Sequence, residues 1–132
     1  MNPRYSSVAS RAVHRCEYCH APEIAFNFTF EVEHVEPASR GGAPEDNNLA
    51  LGCRSCNVYK ASETTGRDPM NGAVVRLFNP RIDFWDEHFA VELDCSIVGK
   101  THIARATIDR LRMNSLRQIT ARRQWRILQI FP

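Results

Sequence analysis

Two short cysteine pairs, Cys16-Glu17-Tyr18-Cys19 and Cys53-Arg54-Ser55-Cys56, decide the fold predicted for this chain. In each pair, a gap of two residues lets both thiolates face one ion from a tight turn. Two such pairs supply the four ligands of a tetrahedral Zn²⁺ site and leave no open position for a substrate, so the predicted zinc is structural. The pairs are separated by 33 residues. A β-hairpin between them accounts for this wide spacing.

Three other uses of these cysteines stay open. The string Cys16-Glu17-Tyr18-Cys19-His20 matches the c-type haem attachment motif, but haem attachment requires export and leaves the second pair unexplained. A thioredoxin-like redox motif explains one pair and not two. An iron–sulfur cluster also takes four cysteines. The fifth cysteine, Cys95, is expected to be an ordinary buried thiol.

The residues between and just after the cysteine pairs predict two strands followed by a helix. Apolar and polar residues alternate over Phe26–His34, which predicts a half-buried strand that Pro37 ends. A second short strand is predicted at Asn48–Leu51. A helix is predicted from about Arg54 to Thr64, where Gly66 and Pro69 follow.

The C-terminal part of the chain is expected to be helical and is rich in arginine. Thr101 is predicted to cap a helix that reaches Asn114, and a second helix follows from Ser115 with Leu116 and Ile119 on its core side. The last 33 residues, from Lys100, carry eight basic residues and one acidic residue, although the whole chain has a net charge of only +2. This pattern favours a polyanionic partner. A solvated helical surface would have the same composition.

Length and composition favour one folded domain. The chain has 132 residues, of which 43% are hydrophobic and 24% are charged. This is ordinary globular composition, and it argues against disorder across the whole chain. No apolar run approaches the roughly 18 residues of a membrane span, and the residues from Met1 to Arg15 lack the apolar stretch of a secretory signal. We therefore expect a cytoplasmic protein, where paired cysteines are more often metal ligands or redox groups than disulfides.

A cluster of polar residues accompanies the cysteine pairs. His34 follows Glu33 at the end of the first predicted strand, and a glycine-containing loop separates it from Asn48. A histidine, with an ordinary pKa of about 6.5, is the natural general base at neutral pH. Carboxylate and amide oxygens suit Mg²⁺ or Mn²⁺. Asn57 and Lys60 are three residues apart, so on a helix they share one face.

In their order and spacing, these residues resemble the HNH endonuclease family, whose members share a ββα-metal, or His-Me finger, core. The resemblance covers about residues 16–62. It is carried by Cys16-x-x-Cys19, Glu33-His34-Val35-x-Pro37-x-Ser39-x-Gly41-Gly42 and Asn48-Leu49-x-Leu51-x-Cys53-x-x-Cys56-Asn57-x-x-Lys60. It implies an α+β fold, with a structural zinc site and a catalytic Mg²⁺ or Mn²⁺, that hydrolyses phosphodiester bonds of DNA.

The resemblance also implies a role for individual residues. His34 would be the general base that activates water, and Asn48 would tie the loop to the following strand and help to orient that base. Glu33 and Asn57 would hold the catalytic cation. Adjacent residues of a regular strand face opposite ways, so Glu33 and His34 can address one ion only if the pleat breaks there.

Two basic residues are the candidate phosphate contacts. One is Lys60, which is predicted to share a helix face with Asn57, and the other is Arg40 in the loop. We predict a leader at residues 1–15, a nuclease core with its zinc site at 16–66, and a C-terminal extension at 67–132 whose arginine-rich helices pack on the core. The predicted partner is DNA, and double-strand cleavage would favour a homodimer. The alternative is a non-catalytic zinc-ribbon protein that binds nucleic acid without cutting it.

Overall fold

Short helices and strands alternate along residues 2–132, the part of the chain that the computed structural model describes. The helices are α1 (Tyr5–Arg11), α2 (Arg54–Lys60), α3 (Trp85–His88), α4 (His102–Leu111) and α5 (Leu116–Ile127). The strands are β1 (Glu31–His34), β2 (Leu49–Gly52), β3 (Thr65–Arg67), β4 (Val74–Arg76), β5 (Phe89–Val91) and β6 (Ile97–Gly99). Consecutive strands pair as three antiparallel hairpins. The predicted α+β class is therefore confirmed.

No helix in this described part of the chain combines the length and apolar character that crossing a membrane requires.

The β1–β2 hairpin and the helix after it bring together the polar residues singled out in the sequence. In the hairpin register, Glu31 lies opposite Gly52 and His34 lies opposite Leu49. Helix α2 follows directly, with Cys53 as its N-cap. The helix ends at Lys60 and not near Thr64 as predicted, because Ala61 has a φ of 51° and leaves the helical conformation.

The first strand is shorter than its alternating pattern predicts, because β1 begins only at Glu31. The residues before it form a 3₁₀ turn at Glu23–Ala25 and an irregular segment in which Phe28 is 82% exposed. Strand β2 ends at Gly52, since the next residue starts α2, so residues 26–30 have no strand to pair with. Alternating apolar and polar residues form a strand only where a neighbouring strand supplies partners for the backbone hydrogen bonds.

Buried aromatic rings join the first cysteine turn to the C-terminal half of the chain. Phe78 contacts Tyr18 and Phe89 edge-on, with ring centroids 6.4 and 5.1 Å apart. The indole N–H of Trp85, on α3, donates a hydrogen bond to the Tyr18 carbonyl oxygen at 2.8 Å. The Trp85 ring also stacks on His20, with centroids 3.9 Å apart. Helix α3 is therefore held against the Cys16–His20 turn by one hydrogen bond and one stacked pair of rings.

Helix α4 packs against α2 and against strands β3, β4 and β6. Thr101 caps this helix as predicted, since its hydroxyl oxygen accepts the Ala104 N–H at 3.1 Å. The guanidinium of Arg105 donates two hydrogen bonds, of 3.0 and 2.8 Å, to the carboxylate of Asp68, which is fully buried. The division into a leader, a core and an extension stays a prediction.

Helix α5 turns a different face toward the core from the one that its apolar residues predicted. Leu116 is 78% exposed, whereas Arg122 is completely buried. The Arg122 Nε donates to the Cys95 carbonyl oxygen at 2.6 Å, and its Nη2 donates to Asn114 Oδ1 at 2.9 Å. The prediction that Leu116 faces the core is therefore wrong, because the hydrogen bonds of Arg122 orient the helix. They also remove this arginine from the surface that was predicted to grip DNA.

Replacing Trp85 by phenylalanine should keep the aromatic packing and leave the buried Tyr18 carbonyl without its indole donor. We expect the free energy of unfolding to fall by roughly 1–3 kcal/mol. The measurement is urea unfolding of the zinc-loaded protein. Trp125→Phe is the matched control, because its indole makes no hydrogen bond within residues 2–132. An equal loss of stability in both variants would contradict the role given to the Trp85 N–H.

Candidate functional site

Four buried cysteine side chains meet between the first turn and the start of α2. The Sγ atoms of Cys16, Cys19, Cys53 and Cys56 all lie within 4.8 Å of one another, and those of Cys19 and Cys53 are 3.7 Å apart. Zn–S bonds of about 2.3 Å in a tetrahedron place sulfurs about 3.8 Å apart. None of the four is in a disulfide. The cluster fits a bound metal such as zinc, as the sequence predicted.

The local backbone presents these sulfurs toward one point. The carbonyl oxygen of Cys16 accepts the His20 N–H at 2.9 Å, which closes the first turn. At the second pair, the Cys53 sulfur accepts the Cys56 N–H at 3.4 Å. Hydrogen bonds from the thiols of Cys16 and Cys19 lower the pKa of the Cys53 thiol. Hydrogen bonds within the cluster and burial raise the pKa of the Cys19 and Cys56 thiols, so the four sulfurs share protons when no metal is bound.

The fifth cysteine is outside this cluster. Cys95 is buried, as predicted, and lies at the end of the turn between β5 and β6. Its carbonyl oxygen is the acceptor for Arg122.

Asn48 ties the loop after β1 to the start of β2. Its Oδ1 accepts the Glu36 N–H at 2.8 Å, and its Nδ2 donates to the carbonyl oxygens of Glu36 and Ala43 at 3.0 and 2.8 Å. Gly42 passes so close that a Cβ there would lie 1.8 Å from the Glu36 carbonyl oxygen. A side chain at Gly42 is therefore sterically excluded in this loop conformation. These hydrogen bonds join the two segments that the family resemblance implied Asn48 would join.

His34, at the end of β1, lines a shallow pocket of about 270 Å³ together with Asn57 and Ala61 of the α2 side. Val32 and Glu33 contribute to the wall from the strand. The His34 side chain is partly exposed, and its ring makes no hydrogen bond to any residue in the described range 2–132. Both ring nitrogens can therefore take part in contacts with water or a ligand.

Asn57 is bound by a residue that the sequence reasoning missed, Glu31. The Asn57 Nδ2 donates a hydrogen bond to Glu31 Oε2, and Arg54 donates to Glu31 Oε1 at 3.0 Å. One feature of the sequence, the spacing between Glu31 and Glu33, could have identified this residue. Glu31 is two positions before Glu33, so it lies on the same strand face, beside the helix that Cys53 begins.

Glu33 lies deeper than a surface cation ligand would. It is 7% exposed, and burial raises the pKa of its carboxyl group to about 7, although the nearby Lys60 ammonium opposes this shift. Its Oε1 and the neighbouring Tyr18 hydroxyl make no regular hydrogen bond among residues 2–132, although the two groups lie close enough to shift each other's pKa. An unpartnered carboxylate oxygen can serve as a cation ligand, so this role of Glu33 stays a prediction.

The two candidate phosphate contacts have different surroundings. Lys60 is 1% exposed and its Nζ donates to the Val35 carbonyl oxygen at 3.0 Å, so its ammonium supports the fold and we assign it no phosphate contact. Arg40 is about half exposed. Its Nε donates to the Ser62 carbonyl oxygen at 2.9 Å, and the rest of its guanidinium faces Glu63 and solvent.

Residues 16–63 match the family model described as HNH endonuclease. This chain contains an HNH endonuclease domain. The HNH domain includes the cysteine cluster, the β1–β2 hairpin and α2. The family that the sequence resembled is thus confirmed. Searches among curated proteins and among solved structures gave no match.

The Cys56→Ser variant should lose metal and stability, because structural zinc contributes about 10–16 kcal/mol to the folding of small domains. We expect less than one zinc per chain and a large fall in melting temperature. Metal content by mass spectrometry and thermal melting check this. Cys95→Ser is the matched control, as a buried cysteine outside the cluster. Normal zinc content and stability in Cys56→Ser would contradict the assignment.

The Asn48→Ala variant should loosen the loop between β1 and β2, because three side-chain hydrogen bonds are lost. We expect a loss of about 1–3 kcal/mol in the free energy of unfolding. Hydrogen exchange of the residue 36 amide should also be faster. The neighbouring exposed Asn47→Ala is the control. If both variants behave alike, Asn48 does not hold this loop.

Proposed function

We propose that this protein is a metal-dependent HNH endonuclease that hydrolyses DNA phosphodiester bonds, and that its β1–β2–α2 unit is a ββα-metal core. One observation carries this proposal. Within the HNH domain, His34 at the strand end and Asn57 on the following helix line the same pocket. This shared pocket supports an interpretation in which the proposed general base and the proposed amide ligand act at one place on the surface.

His34 is the proposed general base. Its ring is partly exposed and makes no hydrogen bond within residues 2–132, so a water molecule can approach a ring nitrogen. Removing a proton from that water would generate the nucleophile that attacks phosphorus. General base catalysis of this kind supplies about 10²–10⁴-fold in rate. Asn48 supports His34 by fixing the loop that continues from β1.

Asn57 is the proposed ligand of a catalytic Mg²⁺ or Mn²⁺. Glu33, the other proposed ligand, would reach the same ion only if the pleat breaks at His34, because β1 pairs with β2 in regular register. The donor set fits, because amide and carboxylate oxygens suit these cations and one Glu33 oxygen has no partner among the described residues. A cation bound here would neutralise charge on the leaving oxygen. The cysteine-bound zinc has a separate role, since four thiolates hold the hairpin and α2 in register and bind no substrate.

DNA contact is proposed for exposed arginines around this pocket. Arg40 lies in the loop after β1, and Arg54 lies at the start of α2 with its side chain 77% exposed. Arg117 is also exposed, at the start of α5. Arginine contacts to phosphate position the protein without reading sequence, so binding should weaken with salt. Cutting both strands would need two such sites, as a homodimer provides.

The alternative is a zinc-ribbon protein that binds nucleic acid without cutting it. The cysteine cluster is compatible with this function. The burial of Lys60, and of all but a small part of Glu33, favours it, because little of either group is open to a substrate. We prefer the nuclease, because a protein that only binds nucleic acid does not need a histidine and an asparagine that line the same pocket, as His34 and Asn57 do.

His34→Ala should lower the rate of plasmid nicking at least about 100-fold, because the general base is lost. Wild-type nicking should need Mg²⁺ or Mn²⁺ and stop with EDTA, while the zinc content of the variant should be unchanged. The exposed His102→Ala serves as the control. DNA binding without cleavage by the wild-type protein would favour the alternative. Equal nicking by wild type and His34→Ala would refute the role of His34.

A further inference from the structure

The hydrogen bond between Glu31 and Asn57 joins β1 to α2 beside the His34 pocket. We propose that Glu31 is a positioning residue, which fixes the Asn57 amide so that its oxygen is presented to the pocket. The inference rests on the proposed function, since it concerns the orientation of a ligand that the catalytic cation would use. It adds to the site a residue that the motif pattern did not include.

The orientation follows from donor and acceptor chemistry. An ionised carboxylate can only accept hydrogen bonds, whereas an asparagine amide has a donating nitrogen and an accepting oxygen. The amide atom that faces Glu31 must therefore be Nδ2, and Oδ1 points away from Glu31. Without this partner the amide could turn over and present Nδ2, which cannot bind a cation.

Glu31 is itself held at both carboxylate oxygens. Its Oε1 accepts from Arg54 at 3.0 Å while its Oε2 accepts from Asn57. Arg54 and Asn57 are three residues apart on α2, so they share a helix face and one carboxylate can reach both. Both oxygens are engaged by the protein and Glu31 does not line the His34 pocket, so we assign it a role through Asn57 and not as the cation ligand.

The other carboxylate on this strand face does not perform this task. Glu33 makes no hydrogen bond with Asn57, and its carboxyl group is buried near Tyr18 and Lys60. The contact of Glu31 is therefore specific. Polar groups that bind the ligands of a metal usually set the orientation of those ligands, and their removal typically costs roughly 10–100-fold in metal affinity or activity.

The test compares Mn²⁺ binding by zinc-loaded wild type, Glu31→Met and Glu31→Gln, measured by calorimetry. Methionine removes the acceptor at similar side-chain length, so Glu31→Met should bind Mn²⁺ roughly 10–100-fold more weakly. Glutamine offers a donating nitrogen as well as an acceptor oxygen, so Glu31→Gln can hold the Asn57 amide in either orientation, and its Mn²⁺ affinity should lie between those of wild type and Glu31→Met. The exposed Glu87→Met, outside the HNH domain, is the control.

Cleavage assays provide a second measurement. The Mn²⁺ concentration for half-maximal nicking should rise in Glu31→Met by the same factor as the binding constant. The rate at saturating Mn²⁺ should change little, since His34 is untouched. A purely structural role would lower the saturated rate and the zinc content as well, so zinc content and melting temperature are recorded for every variant.

Two results would overturn the inference. One is equal Mn²⁺ affinity in wild type and Glu31→Met, including no binding in either. The other is a loss of zinc content and melting temperature in Glu31→Met that accompanies its loss of Mn²⁺ binding, which would mean a purely structural role. Failure of the nuclease proposal has a different signature, namely Glu31-dependent Mn²⁺ binding with no DNA cleavage at any Mn²⁺ concentration.

Discussion

The HNH domain depends on four thiol groups that come from two turns far apart in the sequence. Strands β1 and β2 have four residues each, and a two-stranded hairpin of this size is barely stable in water without further support. The cluster supplies that support, because Cys53 is at once a metal-ligand candidate and the N-cap of α2. One group of sulfurs thus fixes where the strand ends, where the helix begins and how both meet the first turn.

The C-terminal half is built onto this cluster through polar as well as apolar contacts. Trp85 holds the first cysteine turn through its stacking on His20 and its hydrogen bond to Tyr18. Burial lowers the pKa of the Arg122 guanidinium, and the nearby thiols of Cys19 and Cys56 oppose this shift. A positive charge close to the thiolates compensates part of their negative charge in a dry interior. Arg122 thereby places a positively charged side chain of helix α5 close to the cysteine cluster.

The chemistry proposed for the pocket depends on the pleat of β1 and its register with β2. Glu31 and Glu33 occupy one strand face, while Val32 and His34 occupy the other. Helix α2 contacts β1, and Asn57 on this helix both binds Glu31 and lines the pocket with His34. Lys60, one turn further along α2, instead donates to the Val35 carbonyl oxygen in the interior.

The sequence by itself determined the four-cysteine cluster, the family, the α+β class and the Thr101 cap, because each of these depends on residue type at short spacing. Only the tertiary structure decided the start of β1 at Glu31, the burial of Lys60 and Arg122, and the contact between Glu31 and Asn57. Each of those features depends on a partner far along the chain. A strand needs a second strand to pair with, and a buried charge needs a distant carbonyl, so neither can be deduced from local patterns.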